Sequence, residues 1–142
     1  MAYTNKDTVI KKLNEGANFQ NKNFDNFRDD KEIVLLTVRN NGLYLEFASD
    51  RLRNDKEVVL AAVKEFGASM YFASDELKND KEVVLTAIKD DAMAFKFAGK
   101  ELKHEIGEQD PIKYLENYFL KIKLTEVLKI NQAETIKPIM KI

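Results

Sequence analysis

The chain has no cysteine and no tryptophan, one histidine, two prolines and five glycines in 142 residues. Without cysteine there is neither a disulfide to staple the fold nor a thiolate to do chemistry. The single histidine, His104, stands where Asn54 and Asn79 stand in the repeat described below, so it reads as a surface or capping substitution. That leaves no imidazole for a catalytic triad and no His/Cys set for a metal. Neither G-x-x-x-x-G-K-[ST] nor G-x-G-x-x-G occurs, which removes the common nucleotide fingerprints. No apolar run approaches the ~18 residues of a membrane span. Met1-Ala2-Tyr3-Thr4-Asn5 lacks the basic and apolar regions of a signal peptide, so a cytoplasmic location is predicted, in the producing cell or in one it infects. Charge of one sign is also lacking. The 23 basic residues against 24 acidic give a net charge of −1, which argues against a strong binder of phosphate backbones.

What the chain does have is a repeat. Asp30-Lys31-Glu32-Ile33-Val34-Leu35 returns as Asp55-Lys56-Glu57-Val58-Val59-Leu60 and as Asp80-Lys81-Glu82-Val83-Val84-Leu85, a period of 25 residues. One period earlier, Asn5-Lys6-Asp7-Thr8-Val9-Ile10 keeps the polar and apolar order. The units are therefore 5–29 (degenerate), 30–54, 55–79 and 80–104. Drift in an outer unit suits an array whose end has only one neighbour.

Each unit reads as a helical hairpin. Asp29, Asn54 and Asn79 each precede a glutamate by three positions (Glu32, Glu57, Glu82), the spacing of a capping box, which predicts helices near 31–40, 55–66 and 80–90. The sets Val34, Leu35, Val38; Val59, Leu60, Val63; and Val84, Leu85, Ile88 mark one helical face, with Leu60 and Val63 expected between units. Gly42 and Gly67 stand where a left-handed residue ends a helix, a place that Ala92 takes in the last unit. A second helix then carries Phe47-Ala48, Phe72-Ala73 or Phe97-Ala98. Period-2 alternation is absent, so the valines are assigned to helices despite their strand propensity.

The unit Asp-x-Glu-Val-Val-Leu-x-Ala-Val, followed by Ala-Ser-Asp-x-Leu, resembles a family of tandem helical repeats catalogued as a domain of unknown function in bacterial, protist and viral proteins. The resemblance covers residues 30–104, and most strongly Asp55–Leu85. It implies a helical repeat, no known activity and no catalytic residues to carry over.

The last segment is separate. Asp110-Pro111 is a helix start, and a capping helix over about 111–130 is expected, then a tail at 131–142. Leu115, Phe119 and Ile122 lie on one side of it; Leu120, Leu124, Val127 and Leu128 lie nearly opposite and form a second candidate interface. The second face meets either the tail around Ile136, Ile139, Met140 and Ile142, where Pro138 invites a reversal, or another molecule, leaving a monomer or a dimer through this helix. The fold expected is a single all-α domain, a short right-handed solenoid closed by that helix.

Repeated polar residues are assigned to structure: Glu32, Glu57 and Glu82 to caps, Ser49-Asp50 and Ser74-Asp75 to turns without the spacing of a calcium loop. Function is sought where the units differ. Tyr44, Ser69 and Ala94 share one position; Glu46, Tyr71 and Lys96 another; Asn41, Phe66 and Asp91 a third. In a solenoid such positions build the binding face, and aromatic residues and arginine are the usual anchors. Tyr44, Phe66 and Tyr71 are the apolar candidates, and Arg39, Arg51 and Arg53, drawn from a total of four arginines with Arg28, the polar ones. The reading is a non-enzymatic module, without cofactor or metal, that binds a protein partner as an adaptor or as an inhibitor of a larger protein. The Lys-, Asn- and Ile-rich composition suits an AT-rich bacterium or its phage. Two alternatives are a nucleic-acid-binding face built from Lys96, Lys100, Lys103, Lys113, Lys121 and Lys123, and an enzyme using a carboxylate pair such as Asp90 and Asp91.

Overall fold

The structure, a computed structural model, describes residues 3–136, and these contain helices and no strand. Each matching unit forms three helical pieces rather than two. Unit 30–54 has α2 (Lys31–Asn40), the 3-10 helix η2 (Gly42–Phe47) and the short α3 (Asp50–Arg53). Unit 55–79 has α4 (Lys56–Glu65), η3 (Gly67–Phe72) and α5 (Asp75–Lys78). Unit 80–104 has α6 (Lys81–Asp90), η4 (Ala92–Phe97) and α7 (Lys100–Ile106). The degenerate unit keeps α1 (Lys6–Asn14) and η1 (Lys22–Phe27). Like elements stack in sequence order, α2 on α4 on α6 and η2 on η3 on η4, and each of α4 and α6 also packs on the 3-10 helix of the unit before it. This is an all-α repeat solenoid with a C-terminal helix, α8 (Pro111–Ile136). The repeats up to Gly107 and the segment from Glu108 onward are two compact units.

The expected second helix splits at Ala48-Ser49 for a reason that lies in the neighbouring unit. Ser49 N–H donates to the Arg28 carbonyl (2.8 Å), Ser74 N–H to Arg53 (3.0 Å) and Gly99 N–H to Lys78 (2.7 Å). An amide committed outward cannot also continue a helix, and Ala48 accordingly has extended ψ, 153°.

The buried face of the long helices is Ile33, Val34, Thr37 and Val38, then Val58, Val59, Ala62 and Val63, then Val83, Val84, Ala87 and Ile88. Each fully buried aliphatic side chain stabilises by about 1.5–3 kcal/mol. Leu35, Leu60 and Leu85 are only half-buried, which corrects the expectation for Leu60. At ~100° per residue, Leu35 lies about 200° round from Ile33, outside the arc that faces the stack.

The caps also fall one residue later than expected. Asp30, Asp55 and Asp80 accept the N–H groups of Ile33, of Glu57 and Val58, and of Glu82 and Val83. Asn54 and Asn79 end the short helices instead, and with Asp29 they reach into the next unit. The Ser49 hydroxyl donates to Asp29 and that of Ser74 to Asn54 (2.5 Å). Gly99 replaces the serine in the last unit. There the Asn79 side chain fills the vacated space and accepts Leu102 N–H at 3.1 Å, capping α7 from the preceding unit.

The glutamates of the expected capping boxes serve a different purpose. Lys6 Nζ bridges Asp30 and Glu32 (2.9 and 2.8 Å), Lys31 bridges Asp55 and Glu57 (2.9 Å each), and Lys56 bridges Asp80 and Glu82 (2.9 Å each). Lys81 continues the ladder to Glu105 at 3.0 Å. Partial burial alone raises the Asp55 carboxyl, but the Lys31 ammonium and the N–H groups of Val58 and Glu57 outweigh it and hold the group below its ordinary range; Asp30 is held down in the same way beside Lys6. Hydrogen bonds to their two carboxylates raise Lys6, Lys31 and Lys56.

Among the described residues positive φ occurs at Gly16 and Gly107, and not at Gly42 and Gly67. They are needed because a Cβ on Gly42 would lie 2.3 Å from the Ala62 carbonyl oxygen, and one on Gly67 the same distance from that of Ala87. No further copy of the long helix follows the last unit, and there the position is the exposed Ala92. Among the described residues no helix is long and apolar enough to cross a membrane. α8 runs beyond the expected end at 130, and Ile139, Met140 and Ile142, once set against it, lie outside the described residues.

Two outcomes follow. Gly42→Ala and Gly67→Ala should each lower the urea-unfolding free energy by about 1–3 kcal/mol, because a carbonyl must move, whereas Ala92→Gly should cost only the ~0.5–1 kcal/mol of added chain freedom. Carboxyls held below their unfolded value contribute stability that is present above about pH 4 and lost as pH falls through the folded value. Unfolding free energy should thus be nearly constant between about pH 6 and 8 and decline on acidification below about 4, with a shallower decline in Lys31→Met.

Candidate functional site

In a 3-10 helix residues i and i+3 share a face. The second and fifth residues of the stacked 3-10 helices therefore form a ridge: Leu43 with Glu46, Ala68 with Tyr71, Met93 with Lys96. The ridge is open to solvent and apolar at its centre, with Leu43 40%, Tyr71 58% and Met93 69% exposed. Tyr71 is held by edge contacts to Phe72 and to Phe97 of the next unit (5.2 and 5.3 Å between ring centres), with the Lys78 ammonium 5.5 Å from its ring centre. The expectation had included Tyr71 but missed Leu43 and Met93. Their column, Leu/Ala/Met, varies between units as much as the chosen ones.

Phe66 stands at the head of the ridge, at the N-cap of η3. Asn41 and Asp91 hold the equivalent places and accept the N–H groups of Leu43 and Met93 at 3.0 and 2.9 Å. Phe66 has nearly the same backbone as Asn41 (φ −157°, ψ 106° against −156°, 108°) but makes no side-chain cap. It is 44% exposed. The middle unit shows an aromatic ring where its sisters show a capping side chain, and the Asp90 carboxylate of the next unit accepts Gly67 N–H at the start of η3.

The other expected anchors are placed differently. Tyr44 is half-buried against Phe19 and Phe47, and its counterparts Ser69 and Ala94 are fully buried, so this column points between units. Its side-chain sizes vary because the spaces differ: Ser69 meets the gap left by Gly42, while Tyr44 meets the looser first unit. Arg51 pairs with Asp29 (3.0 Å) and donates to its carbonyl, and together with the Ser49 hydroxyl, the larger influence, it holds the Asp29 carboxyl below the usual range. Arg53 pairs with Asp50 in its own short helix. Arg39 is exposed on α2, away from the ridge, and has no carboxylate partner among the described residues.

On α8, Leu120 (64%), Leu124 (58%), Val127 (50%) and Leu128 (54%) are exposed, as is the whole of residues 120–130. His104 is exposed in α7. Of the six lysines considered for a nucleic-acid face, Lys96, Lys100 and Lys103 belong to the repeats and Lys113, Lys121 and Lys123 to α8. Asp90 accepts Gly67 N–H at 2.7 Å and Asp91 caps η4, so both carboxylates of the suggested catalytic pair hold backbone.

Stacked units of one design with an exposed, unit-specific ridge define a tandem helical-repeat protein. The family described as Domain of unknown function (DUF4116) matches residues 30–72 and 55–103, two segments offset by one 25-residue period, and the chain belongs to it. No curated protein and no solved structure matches the chain. The cap sacrificed at Phe66 is measurable: Phe66→Asn should be more stable than Phe66→Ala by about 0.5–2 kcal/mol in urea unfolding, the worth of an N-cap.

Proposed function

We propose that the chain is a non-enzymatic module that binds a protein partner through the 3-10 ridge, with Phe66 and Tyr71 as principal anchors and Leu43 and Met93 beside them. The observation that carries this reading is Phe66. Phe66 presents an aromatic ring to solvent where both sister units keep a capping side chain, the amide at the start of η3 being held instead by Asp90, and use of that ring accounts for the exchange. Aromatic side chains fixed on a rigid element lose little freedom on binding and serve as hot spots. Tyr44 is left out of the anchor set because it packs between units, and Arg51 and Arg53 because their guanidinium groups are already engaged. Acting as an adaptor or as an inhibitor that occludes a larger protein are both compatible with such a ridge. A cytoplasmic partner, in the producing cell or an infected one, suits a chain without cysteine.

The test is affinity capture from the native host with wild-type chain and ridge variants, followed by binding measurements on the recovered partner. Phe66→Asn and Tyr71→Ala should each weaken binding by about 1–4 kcal/mol while circular dichroism stays helical. Affinity should change little with salt. A steep salt dependence, with loss of binding on Lys96→Gln and Lys100→Gln, would favour nucleic acid instead.

A further inference from the structure

We infer that the groove between α1 and α2 is a binding site for an acidic–apolar peptide segment, which places an aliphatic or aromatic side chain in the groove and a neighbouring carboxylate on Arg39. The site lies on the column of long helices, so it does not rest on the ridge reading. The groove encloses about 500 Å³ and its walls are the aliphatic side chains of Ile10, Leu35 and Leu36, with Lys31, Glu32 and Arg39 at the rim. α1 meets α2 over a smaller contact than α2 makes with α4, which leaves these carbons partly uncovered. Two of the rim charges are already neutralised: Lys31 bridges Asp55 and Glu57, and Glu32 receives Lys6. The third is not. Arg28, Arg51 and Arg53 each pair with an aspartate, whereas among the described residues Arg39 pairs with no carboxylate. A weakly hydrated guanidinium beside exposed aliphatic carbon is suited to a carboxylate carried next to an apolar group, which it can hold through two parallel hydrogen bonds.

Comparison between units makes the site particular to this junction. The positions of Leu36 and Arg39 become Ala61 and Lys64 in the next unit, then Thr86 and Lys89. Only unit 30–54 combines a large apolar side chain with arginine. The column nevertheless continues as half-buried Leu60 with exposed Lys64, one unit on. Packed helices lie about 8–10 Å apart, and one three-residue turn of a polyproline II peptide rises about 9 Å and returns the side chain to the same side. A peptide with an apolar residue and an acid every three positions would therefore meet Leu35 and Arg39, then Leu60 and Lys64. A single small amphipathic carboxylate could use only the first pair, which is why the assignment is to a peptide.

The experiment is display selection of random ten-residue peptides against the full chain, followed by fluorescence anisotropy with the recovered peptides on Arg39→Gln, Leu36→Thr and Phe66→Asn variants. The threonine is the residue the chain itself carries at position 86; should that variant fail to show the wild-type thermal transition, Leu36→Ala, which copies position 61, replaces it. The expected result is enrichment of Asp or Glu close to Leu, Ile or Phe. Affinity should be at least tenfold weaker for Arg39→Gln and for the Leu36 variant and unchanged for Phe66→Asn, and decanoate should not displace the peptides at equal concentration. Recovery of no peptide, recovery of peptides without acidic residues, or full affinity for Arg39→Gln would overturn the assignment. Peptides lost on Phe66→Asn but kept by Arg39→Gln would belong to the ridge and would also overturn it, and displacement by decanoate would make the groove a site for small amphipathic acids.

Discussion

The stack depends on how closely one unit's long helix approaches the 3-10 helix of the unit before it. The Ala62 carbonyl oxygen occupies the space that a side-chain carbon would need at Gly42, and the Ala87 carbonyl does the same at Gly67. That distance sets everything around it. It demands Ala62 and Ala87 on the helix, a small residue such as Ser69 or Ala94 opposite the glycine, and β-branched side chains on either side to fill the space flush. It also brings the start of each long helix within reach of the lysine one unit earlier, so that a single Asp-Lys-Glu string can cap its own helix, clasp the unit before and reach the unit after.

Because these duties fall on the same positions in every unit, departures from the pattern are informative. Gly99 in place of serine is compensated by Asn79, which caps from the preceding unit, and Ala92 in place of glycine occurs where no further copy of the repeat's long helix follows. Both departures have a structural cause. Phe66 differs: its backbone is that of Asn41, the Asp90 carboxylate of the next unit takes Gly67 N–H at the start of η3, and its ring is exposed to solvent. A scaffold this repetitive thus separates residues that hold the array from residues that use it.

The repeat itself, its 25-residue period and, to within a residue at each end, the long helices expected near 31–40, 55–66 and 80–90 could be read from sequence, since three copies report the same apolar spacing. What could not be read were effects that cross between units. The string Asn54-Asp55-Lys56-Glu57 offers two capping residues, and the choice of Asp55 depends on Lys31, 24 residues away. The break at Ala48-Ser49 depends on the Arg28 carbonyl, and the need for Gly42 on a carbonyl 20 residues ahead. The site was partly legible on the same terms. Phe66 and Tyr71 stood out as unit-specific aromatics; Tyr44 did too, but its column points inward, and sequence difference alone does not distinguish a varied surface from a varied gap.

The most direct test is a hydrogen-exchange footprint of the chain in complex with its captured partner. If the stack is scaffold and the ridge is the reader, added protection on binding should centre on residues 41–46, 66–71 and 91–96, three segments 25 residues apart, with the buried faces of α2, α4 and α6 unchanged. Protection confined to α8, with those three segments exchanging as in the free chain, would contradict the account and make the C-terminal helix the functional part.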